Sequence, residues 1–298
     1  MNAVPSSFRL LERISRPAPL GIVFWDAATG SSISDGLSVS IAPPDRPDSP
    51  RALFVNRNGV WFASALPGLS TADLAASDWA ALSRRYRVMV ADAFGRFLPL
   101  QFDAELPSRG LYHWPGWAGL PKKPLAPLGK SLAGVVSPNR IPLFSAAARS
   151  APPGRAEVRC DLVDSVTGKA AAWALVTAKH GTTVRAIGLS DREGRLALIF
   201  DYPERPPATL AATPAAITDY QWGLELKCFY EAPAGTVPGI PDLATVMDQL
   251  GTERGLLAST VAPPDPLPDQ TLSFGRPLIV RTSQTDEGPS SSLFLAAP

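Results

Sequence analysis

The chain has 298 residues, 45% hydrophobic and 18% charged, which is too much apolar material for a disordered segment and enough for real cores. Lys and Arg total 28 against 27 for Asp and Glu, and this net charge of +1 leaves no basic excess to hold nucleic acid or an anionic membrane. No apolar run approaches the ~20 residues of a membrane-spanning helix, and two cysteines make no disulfide framework.

Proline is the compositional outlier, with 32 residues against an ordinary share of ~5%. It interrupts helices and central strands, so this load predicts short strands joined by stiff loops. Met1 to Arg16 sets Arg9, Glu12 and Arg13 among apolar residues without an apolar h-region, so no secretory signal is expected and a cytoplasmic chain is. Residues 1–19 are a lead-in, with one helical turn expected around Phe8 to Ile14.

Residues 20–107 read as a first β-sandwich. Val23 to Gly30 holds a D-x-x-T-G turn (Asp26 to Gly30), Leu37 to Ile41 a strand, and Asn58-Gly59-Val60 a turn into Trp61-Phe62. Ser70 to Leu82 suggests a short helix capped by Ser70 or Thr71. Tyr86 to Ala91 and Phe97 to Phe102 are strands joined by the tight turn Asp92 to Arg96, with Gly95 where positive φ is wanted.

Residues 108–155 form a connection stiffened by proline and rich in aromatics. Tyr112, His113, Trp114, Trp117, Leu120 and Phe144 are the candidate partner-contact residues, because so long an ordered segment must bury apolar area somewhere. The competing expectation is that the tryptophans only pin the connection onto the sandwiches.

Residues 156–298 read as a second β-sandwich with a short helix and C-terminal strands. Val158, Cys160 and Leu162 alternate with Glu157, Arg159 and Asp161, the pattern of a half-buried strand. Asp164 to Gly168 repeats the D-x-x-T-G turn, and Ala172 to Thr177 is the next expected strand. Glu193-Gly194-Arg195 then turns into Leu196 to Phe200, and Gln221 to Tyr230 follows as a strand. A helix over Asp242 to Leu250 and strands over Leu278 to Thr282 and Ser292 to Ala296 complete it. The order of motifs in the first half recurs in the second, so Asp26, Gly30 and Gly59 are expected to match Asp164, Gly168 and Gly194. The fold class is therefore all-β, two tandem sandwiches.

Catalytic patterns are weak. Gly129-Lys130-Ser131 resembles the end of a phosphate-binding loop, but Pro124 stands where that loop needs its first glycine. No G-x-S-x-G occurs, and His113 and His180 are the two histidines. Asp161 with Asp164, or Asp191 with Glu193, could make an oxygen site for a metal, whereas Asx-type hydrogen bonds account for Asp26 and Asp164 without one. Cys160 and Cys228 face one core and are expected to be free, buried thiols, with a bridge as the alternative. No enzyme activity, cofactor or metal is expected.

Asp164 to Gly168, the strand after it and Ser190 to Leu196 resemble the carboxypeptidase-regulatory or transthyretin-like β-sandwich, and Asn56 to Val60 is a degraded version of the last segment. That resemblance implies transthyretin-like or Ig-like sandwiches and is silent on activity. Pro19 to Asp26, Ala65 to Leu69, Arg96 to Pro99, Ile141 to Ser145 and Phe274 to Arg276 also resemble accessory proteins of phage-tail-like contractile injection systems. This implies a baseplate, collar or cap subunit that contacts other protein subunits, with homo-oligomers within the assembly, in a particle released by lysis. Two rivals remain open: a carbohydrate-binding adhesin or fibre module stacking sugars on Trp114 and Trp117, and an enzyme whose site a partner completes.

Overall fold

The structure, a computed structural model, describes residues 18–69, 83–108, 110–113, 140–204 and 220–297. The first half contributes β1 (Leu20–Ile22), β2 (Phe24–Asp26), β3 (Ser32–Ile33), β4 (Leu37–Ala42), β5 (Arg51–Ala52), β6 (Phe54–Val55), β7 (Trp61–Ala63), β8 (Arg84–Asp92), β9 (Leu100–Leu106) and β10 (Ile141–Leu143). The second contributes β11 (Arg155–Asp164), β12 (Leu175–His180), β13 (Thr183–Leu189), β14 (Arg195–Asp201), β15 (Gln221–Phe229), β16 (Glu253–Arg254), β17 (Leu257–Ser259), β18 (Asp265–Pro266), β19 (Gln270–Ser273), β20 (Leu278–Ile279) and β21 (Leu293–Leu295). The fold is all-β. The α-helix α1 (Leu243–Asp248), capped by Asp242 and continued by a 3-10 turn, interrupts it between β15 and β16.

The halves share register, pair for pair. Ile22 lies opposite Trp61 and Leu20 opposite Ala63 in β1 and β7, as Cys160 lies opposite Leu196 and Val158 opposite Leu198 in β11 and β14. Asp26 has Leu143 as its parallel partner, and Asp164 has Leu295. In the facing sheets β4 pairs with β8 and β12 with β15, both antiparallel. Inward residues from the two sheets meet: Ile22, Val88, Val90 and Phe102 in one core, Cys160, Leu198, Leu224 and Cys228 in the other. Alternation along β11, where buried and partly exposed residues follow one another, is the period-2 pattern of such a layer.

The Asn56 and Asp191 turns are also alike. Asn56 Oδ1 accepts from the amides of Asn58 and Val60 (2.9 and 3.0 Å), as Asp191 Oδ1 accepts from those of Glu193 and Arg195 (both 2.9 Å). Each ends in a left-handed glycine, Gly59 at φ 76° and Gly194 at φ 79°. The surroundings differ. A Cβ on Gly59 would meet Ser34 Cβ at 3.6 Å, whereas one on Gly194 would stand 2.4 Å from the Leu162 carbonyl oxygen.

Several sequence expectations need correction. Residues 172 and 173 form a turn and β12 starts at Leu175, because Trp173 has φ 64° and cannot continue a strand. The strand expected from Phe97 begins at Leu100, and that from Leu278 ends at Ile279. Ile141–Leu143, expected within the connection, is β10 of the first half. The second-half helix buries Leu243, Val246 and Met247 in the same apolar cluster as first-half residues such as Phe97 and Phe144, so the cores do not divide at residue 156. The expected helices at 8–14 and 70–82 lie outside the described residues.

Positive φ costs a side chain ~1–3 kcal/mol, and Gly194 adds a backbone clash. Gly194→Ala should therefore destabilise the protein clearly more than Gly59→Ala in chemical denaturation, with the Gly59 variant losing about 1 kcal/mol.

Candidate functional site

Each D-x-x-T-G turn is built around its aspartate. Asp26 Oδ1 accepts from the Ala28 amide and Oδ2 from the Thr29 hydroxyl, both at 2.8 Å, while the Gly30 amide donates to the Asp26 carbonyl. Asp164 repeats this with Val166 (3.3 Å), Thr167 (3.0 Å) and Gly168. Gly30 and Gly168 take the left-handed conformation that closes the turn, at φ 71° and 65°. Both carboxylates are buried, and each meets an arginine from far along the chain. Arg149 holds both oxygens of Asp26 (3.0 and 2.6 Å), and Arg254 holds Asp164 Oδ1 (3.0 Å) and the Ala296 carbonyl. Burial opposes ionisation of Asp26, but the hydrogen bonds and charge of Arg149 outweigh it and hold the carboxyl below the usual range.

Tyr112 and Phe144, two of the candidate partner residues, are spent inside the chain. Tyr112 is 4% exposed, stacks on Phe102 and donates its hydroxyl to the Asp103 carbonyl (3.1 Å), and Phe144 is 2% exposed. Their apolar area is covered by the first core, so neither is a surface for a partner. His113 is exposed. Trp114, Trp117, Leu120 and Gly129 to Ser131 lie outside the described residues. Cys160 and Cys228 are free and buried, and burial pushes the Cys160 thiol up to about 12. His180 Nδ1 lies 2.8 Å from the Gly223 carbonyl oxygen. Among the described residues no group of three or more His, Cys, Asp or Glu could hold a metal ion, and no helix is long and apolar enough to cross a membrane.

Two features were not read from the sequence. The first is the junction of the halves. Trp173, held at positive φ, donates Nε1 to the Pro238 carbonyl (3.0 Å), and its own carbonyl accepts from Gln249 Nε2 (2.8 Å). Beside it opens a cleft of about 400 Å³, walled by Trp173, Pro238, Pro241 and Val246 and rimmed by Glu231 and Asp248. Pro241 and Asp242 extend β9 at the opposite side, through Gln101.

The second is an asymmetry between matching strands. Counting back from the matched turns, Ala52 and Phe54 correspond to Ile187 and Leu189. Ile187 and Leu189 are 5% and 1% exposed and belong to the junction cluster, whereas Phe54 is 61% exposed and Ala52 is exposed too. The signal available in the sequence was Ala52-Leu53-Phe54-Val55, apolar on both alternating faces. Leu53 fills the core, and the others are left outside.

No family model, curated protein or solved structure matches the chain.

Removing one partner of a buried ion pair strands the other and costs about 3–5 kcal/mol. Arg254→Met should fall in that range, and Arg149→Met below it, because the Arg149–Asp26 side chains are 12% and 5% exposed against 4% and 3% for Arg254–Asp164. Denaturant midpoints check the order. The lowered Asp26 pKa stabilises the fold above the ordinary value of 3.8, and that contribution is lost as pH falls through the lowered folded-state value. Asp26→Asn should therefore be less stable at neutral pH and show a shallower loss of stability below 3.8. Both thiols should resist alkylation until the chain unfolds, which mass spectrometry of pulse-labelled protein reads directly.

Proposed function

We propose that the chain is a non-enzymatic assembly subunit of a phage-tail-like contractile injection particle, in its baseplate, collar or cap, working through contacts with other protein subunits and without a cofactor. One observation carries this reading: the flank of the second copy at Ile187 and Leu189 is buried against neighbouring elements, while the matching flank of the first copy, at Ala52 and Phe54, is open. A module that packs through this flank once within the chain has the same flank free for a further subunit. Exposed large apolar side chains grouped at such a place favour a protein contact. The segments resembling contractile-system accessory proteins, from Pro19 to Arg276, supply the particular assembly.

Sedimentation of a native lysate tests the reading. The chain should travel with tail-like particles, visible by negative-stain microscopy, in a fixed ratio to their other subunits. Finding it only among small soluble proteins, with particles intact and free of it, would contradict the assignment.

A further inference from the structure

The first-half flank is more than apolar. Three hollows of about 240, 430 and 470 Å³ meet at Pro67. Their lining includes Arg46, Arg51, Arg84 and Arg85 against a single acid, Asp45, and Phe54 stands at one end. The Arg46–Asp45 pair is 3.9 Å apart with side chains 74% and 76% exposed, so it neutralises little. Arg85 faces Glu105 across β8 and β9, so Arg46, Arg51 and Arg84 carry the excess. The junction cleft has the opposite character: its charged lining residues are Glu231, Asp242 and Asp248, with no Lys, Arg or His. Asp242 also caps α1 and influences Arg87, which is itself held by Asp103 at 2.8 Å.

These complementary surfaces lie at opposite edges of one sheet, ordered β5-β4-β8-β9, with Pro241 and Asp242 docked beyond β9. A basic flank at one edge and an acidic cleft at the other suit head-to-tail contact. Strand addition is a poor alternative, because β5 and β6 have two residues each, Pro50 lacks a donor, and short edges resist pairing. A two-fold contact through this flank would set one arginine-rich patch against another. Within the chain, Leu189 already shares an apolar cluster with Trp173 and Val246, which wall the cleft, and Leu189 is the counterpart of Phe54. We propose that a second copy of this chain fills the cleft: Phe54 of one molecule enters beside Trp173 of the next, with Arg46 and Arg51 facing Glu231 and Asp248. The contact is heterologous, so copies add in a ring or row.

The proposal rests on the assembly reading but is tested apart from it, with the purified full-length chain in sedimentation velocity runs over rising concentration. Wild type should associate with concentration, and salt should weaken it. Arg46→Glu/Arg51→Glu and Glu231→Lys/Asp248→Lys should each weaken association by about tenfold or more, with unchanged circular dichroism because all four positions are exposed. The first variant keeps its cleft and the second keeps its basic flank, and the reversed charges of the altered flank and altered cleft again complement each other, so mixing the two should restore the association that each lacks alone. A wild type that stays monomeric, variants that associate as wild type does, or a mixture that yields no dimer would each overturn the proposal. If wild type is monomeric yet sediments with particles, this inference fails while the assembly reading stands.

Discussion

Everything in this architecture hangs on two aspartates taken out of water. A buried carboxylate without a partner is costly, and here each is satisfied by its own turn and by one arginine. Because Arg149 follows β10 and Arg254 belongs to β16, each pair ties a strand end near the start of its copy, β2 or β11, to chain that arrives much later. The ties also set register. With Asp26 fixed, its neighbour Ala27 donates to the Leu143 carbonyl, and with Asp164 fixed, Ser165 donates to that of Leu295. A parallel strand is thus added to each copy at the same place.

The arginines differ in origin although the aspartates match. In the first copy Arg149 also donates to Ser145 and lies over the Phe97 ring, so the clasp belongs to the segment after β10. In the second, Arg254 approaches from β16 and also binds Ala296, close to the C-terminal end of the sequence. The turn chemistry is local and repeats, while the clasp is tertiary and was met by whichever element lay nearby.

What was legible in the sequence follows from that division. The turns at Asp26, Asn56, Asp164 and Asp191 could be read because Asp, Asn, Thr and Gly act there through hydrogen bonds to their own neighbours. The strands β8, β11 and β15 could be read because their alternation is regular over many residues. Trp173 could not, since nothing local marks a tryptophan for positive φ; its indole and carbonyl are held by Pro238 and Gln249, remote in sequence. Tyr112 and Phe144 looked like partner residues because aromatics in a proline-rich segment carry no mark of which surface they cover. The open flank was hidden for the same reason. Phe54 and Leu189 are both apolar at matching positions, and only packing separates the exposed one from the buried one.

The central claim is that one flank of a repeated module is used inside the chain and left open once. Amide hydrogen exchange on dilute monomer reads this most directly, since it compares residues 51–55 with residues 186–190 in a single sample. The account predicts fast exchange at Ala52 and Val55, exposed residues of two-residue strands, and strong protection at the buried Ile187 and Leu189. Equal protection in both segments, or faster exchange at Ile187 and Leu189, would contradict it.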